Sequence, residues 1–181
     1  MSLNAIILSD IYGFSSETDV DDYYLQKTAQ FLQSIGYSTT IFSLLQLANL
    51  SIKNGKEVDT AFVTEIIERS VVNLTDKKLN CDLCIGFSAG GIVLWKMITE
   101  DKLKTDKLVC ISSTRLRQFT EVAPCPTLAI FAQEDKFAPT QEKLESLKCY
   151  YKIVPHSNHD FYRYETFGAT LSENIAFFRP V

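Results

Sequence analysis

Ser88 lies in Gly86-Phe87-Ser88-Ala89-Gly90, with the apolar run Leu83-Cys84-Ile85 before it and the apolar helical pattern Ile92-Val93-Leu94-Trp95 after it. A serine hydroxyl is a weak nucleophile unless it is exposed, oriented and next to a base. Gly-x-Ser-x-Gly between a strand and a helix answers the first two needs. It is the sequence form of a nucleophile elbow, a sharp turn that lifts the serine above the sheet edge. Such a turn strains the serine backbone and crowds its neighbours, and Gly86 and Gly90 have no Cβ to collide. Ala89 is small and opens the following helix, so its N–H has no partner within that helix and is free to face a developing oxyanion. A glycine-rich turn with an idle serine would carry the same five residues; the strand before and the helix after favour the elbow.

A serine nucleophile needs an imidazole base, and the base needs a carboxylate to fix its tautomer. The chain has two histidines, His156 and His159, in one loop after a strand. His159 lies further from the strand end and precedes Asp160-Phe161, where the chain turns toward the last helix, so it is the expected base. His156 is its rival and reads as a loop histidine with local hydrogen bonds. Asp135, in Gln133-Glu134-Asp135-Lys136-Phe137-Ala138-Pro139, directly follows another strand and is the expected acid. Glu134 is its rival, and an aspartate there also suits a turn. Lys136 reads as a solvated surface charge. Arg115 and Arg117 follow a further strand, on the side where a site belongs. Either can grip an anionic acyl group with its planar fork, or remain a surface cation.

The elements that must position these residues alternate. Short apolar or β-branched runs predict strands at Ala5–Leu8, Tyr37–Phe42, Asp82–Phe87, Leu108–Ile111, Thr127–Phe131 and Tyr150–Val154. Helical spacing predicts helices at Asp19–Ile35, Val58–Asn73, Ala89–Thr99, Glu142–Leu147 and Phe167–Phe178. Asp19, Asp21 and Asp22 suit the first helix's N-terminal dipole, and Gly36 suits its C-cap. Ser43–Glu57 is less regular, with room for a helical turn. Strands separated by helices imply an α/β fold of three layers, α/β/α, around a parallel sheet. Ligands bind such sheets beyond the carboxyl ends of the strands, where every candidate above falls. About fifteen residues join the fourth strand to the fifth, short for a lid domain.

With 181 residues, 46% of them hydrophobic, the chain suits one domain over residues 1–181. A net charge of −4 with scattered lysines and arginines argues against a nucleic-acid partner. No apolar stretch reaches the length of a membrane span. Met1-Ser2-Leu3-Asn4 lacks the charged start of a signal peptide, and five cysteines, an odd number, suit free thiols in a reducing cytoplasm. Cys81 and Cys84 form C-x-x-C, but without a second pair or a nearby histidine to complete a redox or metal site they read as small hydrophobes. No cofactor or metal is implied.

The sequence resembles the α/β-hydrolases, and more narrowly the dienelactone hydrolase family. The resemblance rests on Leu8-Ser9-Asp10-Ile11-Tyr12-Gly13-Phe14, on Gly86-Phe87-Ser88-Ala89-Gly90-Gly91, on Glu134-Asp135-Lys136-Phe137-Ala138-Pro139 and on His156-Ser157-Asn158-His159-Asp160-Phe161. These span nearly the whole chain in the family's order, and Ser88, Asp135, His159 is that class's chain order for nucleophile, acid and base. The resemblance implies a six-stranded sheet in the order 2-1-3-4-5-6 without a lid domain. It also implies an oxyanion hole completed by the Ile11 N–H beside that of Ala89. It points to hydrolysis of a small-molecule ester or thioester through an acyl-enzyme, with thioesterase, peptidase, anionic-lactone hydrolase and a non-catalytic binding protein of the same fold as alternatives. The chain departs from the family in carrying serine where the namesake enzymes carry cysteine, and Asp10 where they carry glutamate. Arg163 matches one of their two carboxylate-binding arginines, and the other has no counterpart. Asp10, Tyr12, Arg115 and Arg163 are thus expected to contact substrate.

Overall fold

The computed structural model describes residues 3–13, 23–50 and 60–179. Six strands, β1 Leu3–Leu8, β2 Tyr37–Phe42, β3 Asn80–Phe87, β4 Lys104–Ile111, β5 Thr127–Ala132 and β6 Tyr150–Val154, form one sheet in the order β2-β1-β3-β4-β5-β6. Every neighbouring pair is parallel. This is the α/β class and the strand order that the resemblance implies.

The continuous apolar runs have a direct reason. Side chains alternate between the two faces of a strand, and both faces here are covered. Ile6, Leu8, Cys84, Leu108 and Cys110 point to one core, where α2 (Leu44–Ala48), α3 (Thr60–Thr75) and α4 (Ala89–Thr99) pack. Ile7, Leu83, Ile85, Phe87, Val109 and Ile111 point to the other, filled by α1 (Tyr23–Ser34), α6 (Phe167–Glu173) and α7 (Ile175–Phe178). The remaining helix, α5 (Gln141–Ser146), leads into β6. The chain leaves β1 toward β2 on one side and reaches β3 on the other. The crevice between the carboxyl ends of β1 and β3 is therefore the natural ligand site of this topology, and it holds both the Asp10 loop and Ser88.

Several boundaries differ from the sequence expectation, each for a physical reason. β4 starts at Lys104 rather than Leu108, because Asn80↔Lys104 and Leu83↔Lys107 pair in register. A backbone ladder extends through polar residues that no apolar pattern marks. The last helix breaks at Asn174, whose side-chain amide donates to the Thr170 carbonyl at 2.8 Å and competes with the next helical turn. The irregular stretch after β2 holds α2, begun by Ser43 and closed by Asn49 in the left-handed conformation. Gly36 ends the α1 segment at φ +100°. The acidic start expected at Asp19, Asp21 and Asp22, and the Val58 start of α3, lie outside the described residues. No described helix is long and apolar enough to cross a membrane. Cys81 and Cys84 are buried with their sulfurs 3.0 Å apart, and the chain's other cysteines are free thiols too.

Candidate active site

β3 delivers Ser88 through a sharp turn at φ +48°, ψ −115°, a conformation most side chains avoid. The Ser88 N–H donates to the Ile111 carbonyl at 2.7 Å, which ties the turn to the end of β4. α4 then doubles back so closely that glycine is required on both sides. A Cβ on Gly86 would lie 2.3 Å from the Gly91 nitrogen, and one on Gly90 would lie 2.3 Å from the Ser9 carbonyl oxygen. Gly90→Ala forces β1 and α4 apart at backbone atoms that have no rotamer to relax. Unfolding free energy in urea melts is expected to fall by about 1–3 kcal/mol; an unchanged midpoint would mean that this contact is not tight.

Loops after β5 and β6 bring the other two side chains to the serine. Ser88 Oγ lies 3.4 Å from His159 Nε2, and His159 Nδ1 lies 2.6 Å from Asp135 Oδ2. The second Asp135 oxygen accepts the Phe137 N–H at 3.0 Å. The Asp135 side chain is 2% exposed and that of His159 37%, so the carboxylate is shielded while the imidazole faces the opening. The Asp135 hydrogen bond holds His159 above its ordinary pKa, against the opposing effect of burial. Burial pushes the Asp135 carboxyl up, but its bonds to His159 and to the Phe137 N–H, with nearby positive charge, hold it below the usual carboxylate range.

The rivals lie elsewhere. His156 is exposed, at φ +51°, with its N–H bonded to the Gln133 side chain. It lines a separate cavity between β6 and α6, and Glu134 lines that same cavity. Ser112, which sequence reasoning did not single out, is fully buried at φ +50° and donates its hydroxyl to the His159 carbonyl at 2.7 Å. A Ser-Ser pair after a strand gave no sign of that bond, which spans the chain from β4 to the loop after β6.

Ser88, Ala89, Ile11, Tyr12, Arg115 and His159 line one cavity of about 590 Å³. Ile11 and Ala89 therefore flank the serine from the two loops where an oxyanion hole is expected. The expected substrate contacts divide. Tyr12 and Arg115 are on the cavity wall. Asp10 lines the cavity too, but its side chain is 2% exposed and its oxygens are engaged within the protein. One oxygen accepts the Tyr12 N–H at 2.9 Å and the Gly13 N–H at 3.1 Å, and the other accepts the Tyr162 hydroxyl at 2.8 Å and Arg163. An aspartate so placed folds the loop that carries Ile11 instead of reaching for a ligand. Arg163 is not placed at the cavity wall as expected. Its guanidinium pairs with Asp10 and lies 5.0 Å from the Tyr24 ring centroid and 5.6 Å from that of Tyr162. It is absent from the described lining of the cavity. Burial alone would lower its pKa, but Asp10 reverses that and holds the cation charged. Arg117 bonds the Thr114 and Phe137 carbonyls and covers the Phe137 ring from outside the cavity lining.

No protein-family model matches the chain, and no curated protein matches it either. Solved structures do share its shape. A carboxylesterase structure from the ammonia-oxidizing thaumarchaeon Nitrososphaera gargenis is similar with a TM-score of 0.65 at 13% identity, over 98% of this chain and 91% of that one. A predicted CIB-like hydrolase from Thermoplasma acidophilum is similar with a TM-score of 0.64 at 14% identity, over 96% and 86% of the two chains. Est1E from Butyrivibrio proteoclasticus, in a structure with ferulic acid bound, is similar with a TM-score of 0.62 at 16% identity, over 96% and 86%. At these identities the likeness establishes the fold, and the fold is that of the α/β-hydrolases.

Proposed function

We propose that this protein is a serine hydrolase that cleaves a small ester or thioester. The observation that carries the reading is one imidazole bonded to a shielded carboxylate on one side and within reach, on the other, of the hydroxyl of a strained serine at the cavity wall. In this reading Ser88 Oγ attacks the acyl carbon while His159 Nε2 takes its proton. The N–H groups of Ala89 and Ile11 hold the tetrahedral oxyanion, and His159 passes the proton to the leaving alkoxide or thiolate. Water, deprotonated by the same imidazole, then releases the acid from Ser88. Asp135 keeps the Nδ1 proton in place, so that Nε2 is the nitrogen facing the serine. The loose Ser88–His159 separation is common before substrate tightens the site. That neighbouring structures include a carboxylesterase and esterase domains supports this chemistry. The resemblance to dienelactone hydrolases supports it too, although the arginine that would carry their anionic-lactone specificity is taken up by Asp10. The free thiols fit a cytoplasmic setting.

The competing reading is a hydrolase fold kept as a binding protein. Labelling with a fluorophosphonate probe separates the two: covalent capture at Ser88, lost in Ser88→Ala, supports the enzyme, and an unlabelled wild-type serine refutes it. The pH dependence follows from the sign of the His159 shift. The base must be neutral to accept a proton, and its folded pKa lies above the ordinary value of about 6.5. The kcat/KM of a p-nitrophenyl ester is therefore expected to rise with pH through a midpoint above 6.5 and then level off. Asp135→Asn removes the cause of the shift and should move the midpoint of any residual activity down. A wild-type midpoint well below 6.5 would contradict this electrostatic account.

A further inference from the structure

Arg115 rises from a short 3-10 turn, Thr114–Gln118, that follows β4 directly. Its Nη1 donates to Thr64 Oγ1 at 3.0 Å and its Nη2 to the Thr60 carbonyl at 3.1 Å. Both acceptors are neutral. A guanidinium has five N–H donors in a fixed fork, and these bonds occupy two of them. Arg163 and Arg69 each hold a carboxylate, Asp10 and Glu65. Among the described residues, Arg115 forms no ion pair. It is partly buried, and burial followed by the nearby charge of Arg117 lowers its pKa. Its bonds to α3 fix the fork in advance, so little side-chain entropy remains to be lost on binding.

The rest of the cavity is polarised around this group. Two carboxylates also line the cavity, Asp160, next in the chain to His159, and Asp10, which is paired with Arg163, so Arg115 is the lining group that attracts an anion. Val63, Ile92 and Phe137 supply apolar wall. Ser88 and Arg115 line the same cavity, so one substrate can present a carbonyl to the first and an anion to the second across an apolar spacer. The cavity's volume of about 590 Å³ is within the usual range for small-ligand sites.

We propose that Arg115 forms an anion-binding end to this cavity, and that the favoured substrates are half-esters or half-thioesters of short dicarboxylic acids. The proposal rests on the hydrolase reading above. The acyl carbon is attacked by Ser88, its bond to the alkoxide or thiolate oxygen or sulfur breaks, and the free carboxylate stays on Arg115 throughout. Hydrolysis of the acyl-enzyme releases a dicarboxylate. This subsite is built from the turn after β4 and from α3, and Arg163 takes no part in it.

The test uses two p-nitrophenyl esters of matched length, the neutral valerate and the half-ester of glutarate. In wild type the ratio of kcat/KM, glutarate over valerate, is expected to be about tenfold to a hundredfold, and to shrink with added salt. Arg115→Met should bring that ratio to about one, and Arg115→Glu should invert it. An arginine that merely braced the fold would lower both rates together and leave the ratio unmoved. A second readout needs no turnover. In the Ser88→Ala protein, monomethyl glutarate binding measured by calorimetry should weaken at least tenfold when Arg115 becomes Met. If valerate is hydrolysed and Ser88 labels, but neither the ratio nor the binding depends on Arg115, the subsite is overturned and the hydrolase reading stands. If Ser88 does not label and neither ester turns over, the hydrolase reading falls with the substrate assignment, and calorimetry alone then decides whether Arg115 binds the anion.

Discussion

Ser88→Ala is expected to lower kcat for p-nitrophenyl acetate by about 10⁴-fold or more, while the urea midpoint stays near that of wild type. The size follows from geometry. The elbow presents one hydroxyl to the imidazole, and no other described serine is bonded to His159 through its ring. What remains in the mutant is the oxyanion hole acting on water, a small fraction of the whole. The fold should survive because alanine keeps the Cβ and the backbone of Ser88, including its N–H bond to Ile111. The hydroxyl itself sits at the cavity wall and fills no core space. Turnover retained at the wild-type level in a folded Ser88→Ala protein would remove Ser88 from the chemistry.

His159→Ala is expected to cost a comparable factor, about 10⁴-fold or more, and to abolish the pre-steady-state burst of p-nitrophenol. Nucleophile and base act as one unit, so losing either stops acylation. His156→Ala is the comparison, with an expected change in kcat of less than about twofold, under about 0.5 kcal/mol. The contrast rests on placement: His159 joins Ser88 and Asp135, while His156 lines a cavity between β6 and α6. A burst lost in His156→Ala and kept in His159→Ala would reassign the base.

The parts of the site that were legible in the sequence are those whose backbone must be special. Gly86 and Gly90 betray the elbow because only glycine tolerates the close approach of α4 to β1 and β3. Asp135 and His159 follow strand ends, where this class of sheet collects its chemistry. Asp10 and Arg163 are legible as charged residues near the site, but not as partners of each other. Their pairing joins loops more than 150 residues apart (a separation of 153), and nothing local distinguishes a carboxylate that binds substrate from one that neutralises an arginine. Ser112 was invisible for a similar reason: its partner is a backbone carbonyl, and every residue has one. The polar half of β4 was missed because ladder bonds do not depend on side-chain type. The break at Asn174 was missed because it rests on one side-chain amide.

The end of β4 is the datum of the site, in a machinist's sense. Two parts located from separate reference points accumulate the errors of both, whereas two parts located from one datum share them. Ile111 holds the backbone of Ser88, and the next residue, Ser112, holds the backbone of His159. The serine and the imidazole are thus both measured from one dipeptide at the rim of a central strand. The loop after β6 belongs to the edge of the sheet, where strands have a neighbour on one side only. Its fluctuations are therefore referred back to the sheet's interior before they reach the serine. A small protein can in this way keep a tight working clearance without thickening the scaffold around it.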